Sequence, residues 1–194
     1  KLSDANFLLG IFYATSRDFK KSISAFQKSL SLNKKENTAF DAQAKTYLAY
    51  AYVELNELDS AKYYFKGKKE YFENSGNNPL LAQTYYIGSQ IQEKEKDFDK
   101  AEENILKAIE LAPEEDVQKT KSSYQNQLYV IKLGKLFQDS LTLKTDPKKQ
   151  NELKGWLTKF ETSSKDMEGN LGAQYGLYEN YEKLVNAYRN PKNS

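Results

Sequence analysis

A repeat of 39 residues is the feature that most constrains the fold of this chain. One position of the repeat carries a small or polar residue: Gly10, Ala49, Gly88 and Gln127. A second position does the same: Ser22, Ala61, Ala101 and Ser140. The first series has a constant spacing of 39 residues, whereas the second has spacings of 39, 40 and 39. A period between about 20 and 50 residues indicates a repeat architecture, in which each unit packs only against its neighbours.

Each copy of the repeat contains two amphipathic stripes. Apolar residues follow the helical spacing i, i+3, i+4 and i+7, and short polar stretches such as residues 15–18 and 94–97 separate the two stripes. The small residues allow two antiparallel helices to approach closely, and aromatic residues such as Tyr13 and Phe26 fill the space between pairs. The spacing of 40 predicts one extra residue in the inner turn of the third and fourth copies, at residues 93–97 in the third. The predicted helices are 3–15, 18–32, 39–55, 58–74, 79–94, 97–112, 115–133, 135–144, 148–165 and 170–189.

The order of these residues resembles the tetratricopeptide repeat. The first copy reads Leu9-Gly10-x-x-Tyr13, and the third reads Ala101-x-x-x-Ile105 with a proline shortly after it. The family unit is about 34 residues long, so these copies are longer. The resemblance is clear over residues 3–113 and weaker to about residue 144. Long repeats of this composition are similar to the tetratricopeptide regions of bacterial sensor and regulator proteins.

This resemblance implies an all-α fold and a domain organisation. We expect an α-solenoid, a right-handed superhelix of about four to five stacked antiparallel helix pairs. The whole chain, residues 1–194, would form one domain. Its repeats would lie at about residues 3–41, 42–80, 81–119 and 120–165, followed by a C-terminal helix at 170–189.

Composition excludes several classes of site. Histidine and cysteine are both absent, which removes zinc sites built from these residues, Ser-His-Asp and Cys-His nucleophile systems, and disulfides. No phosphate-binding loop is present, and adjacent carboxylates such as Glu102 and Glu103 point about 100° apart on a helix and do not converge. The sequence therefore predicts a protein that is not an enzyme and that needs no cofactor and no metal.

The charge balance bears on the partner. Lys and Arg number 29 and Asp and Glu number 27, a net charge of +2, and only Arg17 and Arg189 are arginines. Nucleic-acid binding requires basic residues gathered on one face, so we expect no nucleic-acid partner. No run of about 18 apolar residues occurs, so we expect no membrane insertion. The chain does not begin with Met, which suggests an excised or processed piece, and its compartment stays open between cytoplasm and periplasm.

The resemblance also implies where a partner binds, because first helices line the concave side of a tetratricopeptide superhelix. Aromatic rings on this concave side would suit an extended peptide or a partner helix, although they could also pack against one another. We therefore expect a non-catalytic scaffold for a protein or peptide, with self-association left open. The alternative is a ligand-sensing or partner-sensing region of a larger bacterial signal-transduction or transcription regulator. The predicted concave residues are Phe7, Ile11, Thr46, Tyr50, Glu54, Tyr85, Ser89, Gln92, Glu93, Tyr124, Leu128 and Lys132.

Overall fold

The computed structural model describes residues 2–33, 38–112, 120–138 and 140–165. Over these ranges the chain is α-helical and contains no β-strand, which confirms the predicted all-α class. The helix predicted at residues 170–189 lies outside the described residues. The helices are α1 (Leu2–Thr15), α2 (Phe19–Leu32), α3 (Thr38–Glu54), α4 (Leu58–Phe65), α5 (Lys68–Ser75), α6 (Asn78–Lys94), α7 (Phe98–Leu111), α8 (Thr120–Gln138), α9 (Ser140–Thr145) and α10 (Pro147–Lys165).

The chain divides into two compact units, Lys1–Ile91 and Gln92–Ser194. The first unit holds α1 to α5 and most of α6, and its core gathers residues such as Phe26, Leu48 and Ile87. The second unit holds the end of α6 and α7 to α10, and one of its clusters joins α8, α9 and α10 through Leu133, Leu143 and other leucines. The predicted single domain and its repeat boundaries stay predictions. No helix within the described ranges is both long enough and apolar enough to cross a bilayer.

The first helix pair is antiparallel and very closely packed. The Ser22 hydroxyl donates to the Gly10 carbonyl at 2.9 Å, and the Ser29 hydroxyl donates to the Ser3 carbonyl at 2.8 Å. Both serines occupy positions at which the third copy has alanine, Ala101 and Ala108. Each is small enough for the close contact, and each adds a hydrogen bond between the two helices. The serines therefore preserve the packing function of the position.

Gly10 is required by the ring that packs on it. A Cβ atom at this position would lie 2.6 Å from two ring carbons of Phe26, which is fully buried. Gly134 in the second unit is under the same constraint, since a Cβ there would lie 2.5 Å from Cε1 of Phe98. The helix break predicted at Gly134 is wrong. This glycine lies inside the continuous helix α8, where it provides space for a ring.

A different glycine does end a helix. The predicted helix at 58–74 is divided into α4 and α5, because Gly67 adopts the left-handed backbone conformation with φ of 72°. A helix cannot continue through that conformation, which glycine adopts without steric cost. The two shorter helices that result point in directions set by this turn rather than by one common axis.

The inner turns of three copies are built alike. Arg17, Asn56 and Lys96 each have positive φ, of 59°, 60° and 63°. In each turn the next residue's backbone N–H bonds to a carbonyl five residues earlier, on Tyr13, Tyr52 and Gln92 respectively, at 2.9 Å. The turns therefore have equal length, and the extra residue of the third copy cannot lie at 93–97 as predicted. Seven residues before each positive-φ residue lie Gly10, Ala49 and Ser89, so the extra residue comes before Ser89.

We expect Gly10→Ala to lower the free energy of unfolding by about 2 kcal/mol, since overpacking against a buried ring exceeds the gain in helix propensity. Gly155→Ala is the matched control, because α10 leaves open space around that position. It should raise the free energy of unfolding by about 0.5–1 kcal/mol. Urea unfolding followed by circular dichroism measures both. Equal effects of the two substitutions would contradict the packing role of Gly10.

Candidate partner-binding surface

The structure separates the twelve predicted concave residues into two groups. Five have buried side chains: Phe7, Thr46, Tyr85, Ser89 and Tyr124. Seven keep part of their surface: Ile11, Tyr50, Glu54, Gln92, Glu93, Leu128 and Lys132. Burial alone therefore makes the second group the better candidates for contact with a partner.

The buried hydroxyls of Thr46 and Ser89 are occupied within their own helices. Thr46 Oγ1 donates to the Ala42 carbonyl at 2.9 Å, and Ser89 Oγ donates to the Tyr86 carbonyl at 2.7 Å. Such bonds satisfy a hydroxyl that is cut off from water. The two side chains therefore act in packing in this structure.

Three of the predicted aromatic residues, Phe7, Tyr85 and Tyr124, are held in the protein interior. Phe7 lies in a cluster of rings, with centres 5.5 Å from Phe26 and 5.6 Å from Tyr47. Tyr85 is only 6% exposed, and its hydroxyl donates to Glu73 Oε1 of α5 at 2.7 Å. The repeat pattern predicted that these rings line an open surface. The structure buries them, Tyr85 because α5 turns after Gly67 and brings a carboxylate to its hydroxyl.

The register shift in α6 changes the role of Gln92. With one extra residue before it, Gln92 takes the place that Tyr52 has in the second copy. Tyr52 stacks on Tyr64 of the following helix, 5.5 Å between ring centres. Gln92 likewise contacts the residue twelve positions later, accepting a hydrogen bond from Asn104 Nδ2 at 2.5 Å. Its amide therefore joins α6 to α7 within one helix pair.

Lys132 is also engaged within its own unit. Its Nζ donates to Glu102 Oε1 of α7 at 2.5 Å and lies 5.6 Å from the centre of the Trp156 ring. Lys159 lies against the same ring at 4.3 Å. Lys132 thus links α8 to α7 and α10, and its ammonium group has protein partners in both directions.

In the first unit, Tyr50 and Glu54 form part of a polar row with two residues that were not among the predicted twelve. Arg17 Nη2 lies 3.8 Å from Glu54 Oε2, and Gln90 Nε2 donates to Glu54 Oε1 at 3.4 Å. Gln90 also donates to the Tyr86 hydroxyl at 3.2 Å. We call Arg17, Tyr50, Glu54 and Gln90 the polar row. It joins the α1–α2 turn to α3 and α6.

The environment of Tyr50 favours its neutral form. Burial raises the pKa of the phenol well above its ordinary value, the Glu54 carboxylate raises this pKa further, and the Arg17 guanidinium partly opposes the shift. The ring of Phe19 lies 6.0 Å from that of Tyr50, and the Arg17 guanidinium carbon lies 5.5 Å from the centre of the Phe19 ring. Tyr50 therefore stays a hydrogen-bonding phenol throughout the physiological pH range.

Two segments of the chain, residues 3–36 and 82–115, match the sequence model of the tetratricopeptide repeat. The first takes in nearly all of α1 with α2, and the second takes in most of α6 with α7. The chain carries tetratricopeptide repeats. This finding confirms the family, and with the helices described above it confirms the all-α helical-repeat fold class. No curated protein matches the chain.

Tetratricopeptide repeats generally mediate protein–protein interaction, and they are typically non-catalytic. Within the described ranges, no group of three or more Asp, Glu, His or Cys side chains is arranged to hold a metal ion. The superhelical shape and the partner-binding role of the twelve residues stay predictions.

Sequence reasoning missed Arg17 and Gln90 for different reasons. Arg17 belongs to a polar turn, and only its positive φ and its distance to Glu54 distinguish it from a solvated charge. Gln90 lies six residues before Lys96 of its inner turn, just as Tyr50 lies six residues before Asn56, so the two residues are equivalent. A fixed spacing of 39 instead makes Ser89 the equivalent of Tyr50. The equal length of the inner turns was the signal that could have corrected this assignment.

Tyr50 makes the free energy of unfolding depend on pH in the alkaline range. Its raised pKa in the folded state contributes stability that is complete below the unfolded pKa of about 10 and is lost as pH rises above it. We expect the free-energy advantage of wild type over Tyr50→Phe to shrink between pH 9 and 11.5, by up to about 1.4 kcal/mol per pH unit. Urea unfolding at each pH measures this. Tyr63→Phe, at an exposed tyrosine, is the control, and an equal pH trend in both variants would contradict the assignment.

Proposed function

We propose that this chain is a non-catalytic scaffold that binds a protein or peptide segment on the first helices of its repeats, with the polar row of the first unit as the main contact. The polar row carries this proposal. It collects a carboxylate, a guanidinium, an amide and a phenol from the α1–α2 turn, α3 and α6 of the first unit. These groups together can both donate and accept hydrogen bonds, as the backbone of a bound segment requires.

The polar row stays accessible to a partner. The side chains of Arg17 and Glu54 are 28% and 18% exposed, and Arg17 Nη2 lies 3.8 Å from Glu54 Oε2. A partner's polar groups can therefore reach this carboxylate and this guanidinium from solvent.

The apolar support beneath the polar row favours a defined geometry. Ala49, Val53 and Ile87 form a buried cluster, and Tyr50 packs against it. Side chains fixed in this way lose little conformational entropy when a partner binds. The polar row is therefore preorganised for recognition rather than assembled by the partner.

The two cations among the candidate contact residues favour a protein partner over nucleic acid. Arg17 lies beside the Glu54 carboxylate and Lys132 bonds to Glu102, so each of these two positive charges faces a negative one. Phosphate recognition requires positive charges that outnumber the carboxylates around them. The role as a sensing region of a bacterial regulator stays a prediction from the resemblance.

To test the proposed binding surface, peptide ligands are selected directly on the full chain. Random 12-residue peptides displayed on phage are selected on the protein, and the binding of each enriched peptide is then measured by fluorescence anisotropy. We expect Glu54→Gln and Arg17→Ala to weaken binding by about tenfold or more, the effect of losing one hydrogen bond to a charged group. Thermal melting of each variant checks that the fold is kept.

The matched control is Glu103→Gln, the same substitution at an exposed carboxylate of the second helix α7. It should leave the affinity unchanged. Peptides that bind Glu54→Gln as tightly as wild type, or a selection that enriches no peptide, would contradict the proposed surface.

A further inference from the structure

Three tyrosine rings are in contact where α3 and α4 pack together. The rings of Tyr52 on α3 and Tyr64 on α4 lie nearly parallel, with 5.5 Å between their centres and 6° between their planes. The ring of Tyr63 meets the Tyr64 ring edge-on, with 5.1 Å between centres. We call Tyr52, Tyr63 and Tyr64 the tyrosine cluster. It belongs to the first unit and shares no side chain with the polar row.

The tyrosine cluster is open to solvent at one end and fixed at the other. Tyr63 is 77% exposed, whereas Tyr52 and Tyr64 are half-buried. The rings of Tyr52 and Tyr64 pack against a buried apolar cluster drawn from α3, α4 and α6. Gln27 Nε2 of α2 donates to the Tyr52 hydroxyl at 3.3 Å. A solute can therefore reach Tyr63, while the two stacked rings keep their mutual geometry.

Two phenol rings held in this way can react with each other after oxidation. A phenol that loses one electron and its hydroxyl proton becomes a phenoxyl radical, whose unpaired electron is shared among the oxygen and the ortho and para carbons. Two such radicals form a carbon–carbon bond between ortho carbons. The hydrogen atom on each bonded carbon then moves to the oxygen of its own ring. The product is dityrosine, which is lighter than two tyrosines by two hydrogen atoms.

We propose that Tyr52 and Tyr64 form an oxidative modification site, at which hydrogen peroxide and a haem peroxidase create a dityrosine cross-link between α3 and α4. One peroxide molecule takes up the two electrons and the two phenolic protons and leaves as two molecules of water. The stacked arrangement already holds the two rings in contact, so the coupling step is intramolecular. Groups held in contact react far faster than groups that must meet by diffusion.

Tyr63 is the entry point for oxidation in this proposal. It is the most exposed ring of the cluster, and it touches Tyr64. An oxidised Tyr63 takes an electron from Tyr64 and a proton from solvent, which restores Tyr63 and leaves the radical on Tyr64. Two identical phenols differ little in oxidation potential, so this transfer has little driving force in either direction, and only coupling to Tyr52 removes the radical.

The composition of the chain leaves few competing reactions. Cysteine and methionine are common targets of protein oxidation, but the sequence contains no cysteine and a single methionine. It contains 15 tyrosines and one tryptophan. Oxidation is therefore directed mainly to tyrosine, and geometry decides which of the tyrosine rings couple.

The cross-link ties together the two helices of one pair. Tyr52 and Tyr64 lie on either side of the inner turn that contains Asn56, 12 residues apart in the chain. A covalent link between them closes a loop in the unfolded chain, which lowers the conformational entropy of that chain. The oxidised protein should therefore require a higher urea concentration for unfolding than the untreated protein.

The test oxidises the full chain at low micromolar concentration with a haem peroxidase and hydrogen peroxide. The monomer fraction, isolated by size-exclusion chromatography, should show dityrosine fluorescence and an intact mass lower by two hydrogen atoms. Digestion with trypsin should then yield residues 46–62 joined to residues 63–66. Fragmentation of this joined peptide should place the link at Tyr52 rather than at another tyrosine of the first segment.

Substitutions locate the link. Tyr52→Phe and Tyr64→Phe should each lower the yield of cross-linked monomer by about tenfold or more, because each removes one phenol of the stacked pair. Tyr13→Phe is the matched control, since the ring beside Tyr13 is that of Phe12, which has no hydroxyl to oxidise. It should leave the yield unchanged. Circular dichroism of each variant checks that the fold is kept.

Three results would overturn the proposal. The first is cross-linking only between separate chains, with no cross-linked monomer. The second is a cross-linked monomer whose yield Tyr52→Phe leaves intact. The third is a cross-linked monomer that unfolds at the same urea concentration as the untreated protein, because a link between α3 and α4 must close the loop.

Discussion

The close contact between the first two helices is the interaction on which the described fold depends. Gly10 leaves room for the fully buried ring of Phe26, and Ser22 binds the Gly10 carbonyl in the same contact. A helix pair packed this closely presents one shared face to the next pair, and Tyr47 of α3 stacks on Phe26 there. The repeat period therefore reflects the positions at which side chains must be small so that aromatic rings can be buried.

Much of the fold could be predicted because helical spacing and small residues reflect packing directly. The family, the all-α class and most helix boundaries follow from that pattern. Gly67 was missed because a glycine that ends a helix and one that admits a ring, such as Gly134, look alike in sequence. Only the backbone conformation of the first and the neighbour of the second distinguish them.

The candidate site was less predictable because it depends on register within a single helix. A register error of one residue in α6 changes the predicted direction of its side chains by about 100°, and in the correct register Gln92 faces Asn104 and Gln90 reaches Glu54. Long-range contacts also matter: Tyr85 is buried through a bond to Glu73, on a helix whose direction depends on Gly67. Aromatic residues at regular spacing indicate a first helix, but they do not reveal which of its sides is covered.

Amide hydrogen exchange on the full chain, with and without a peptide selected on it, tests the central claim most directly. A scaffold that binds along its first helices predicts slower exchange in the α1–α2 turn, in the second half of α3 and in the second half of α6. Exchange in α2 and α4 should stay as it is in the free chain. Protection confined to the second helices, with the polar row unchanged, would contradict the account.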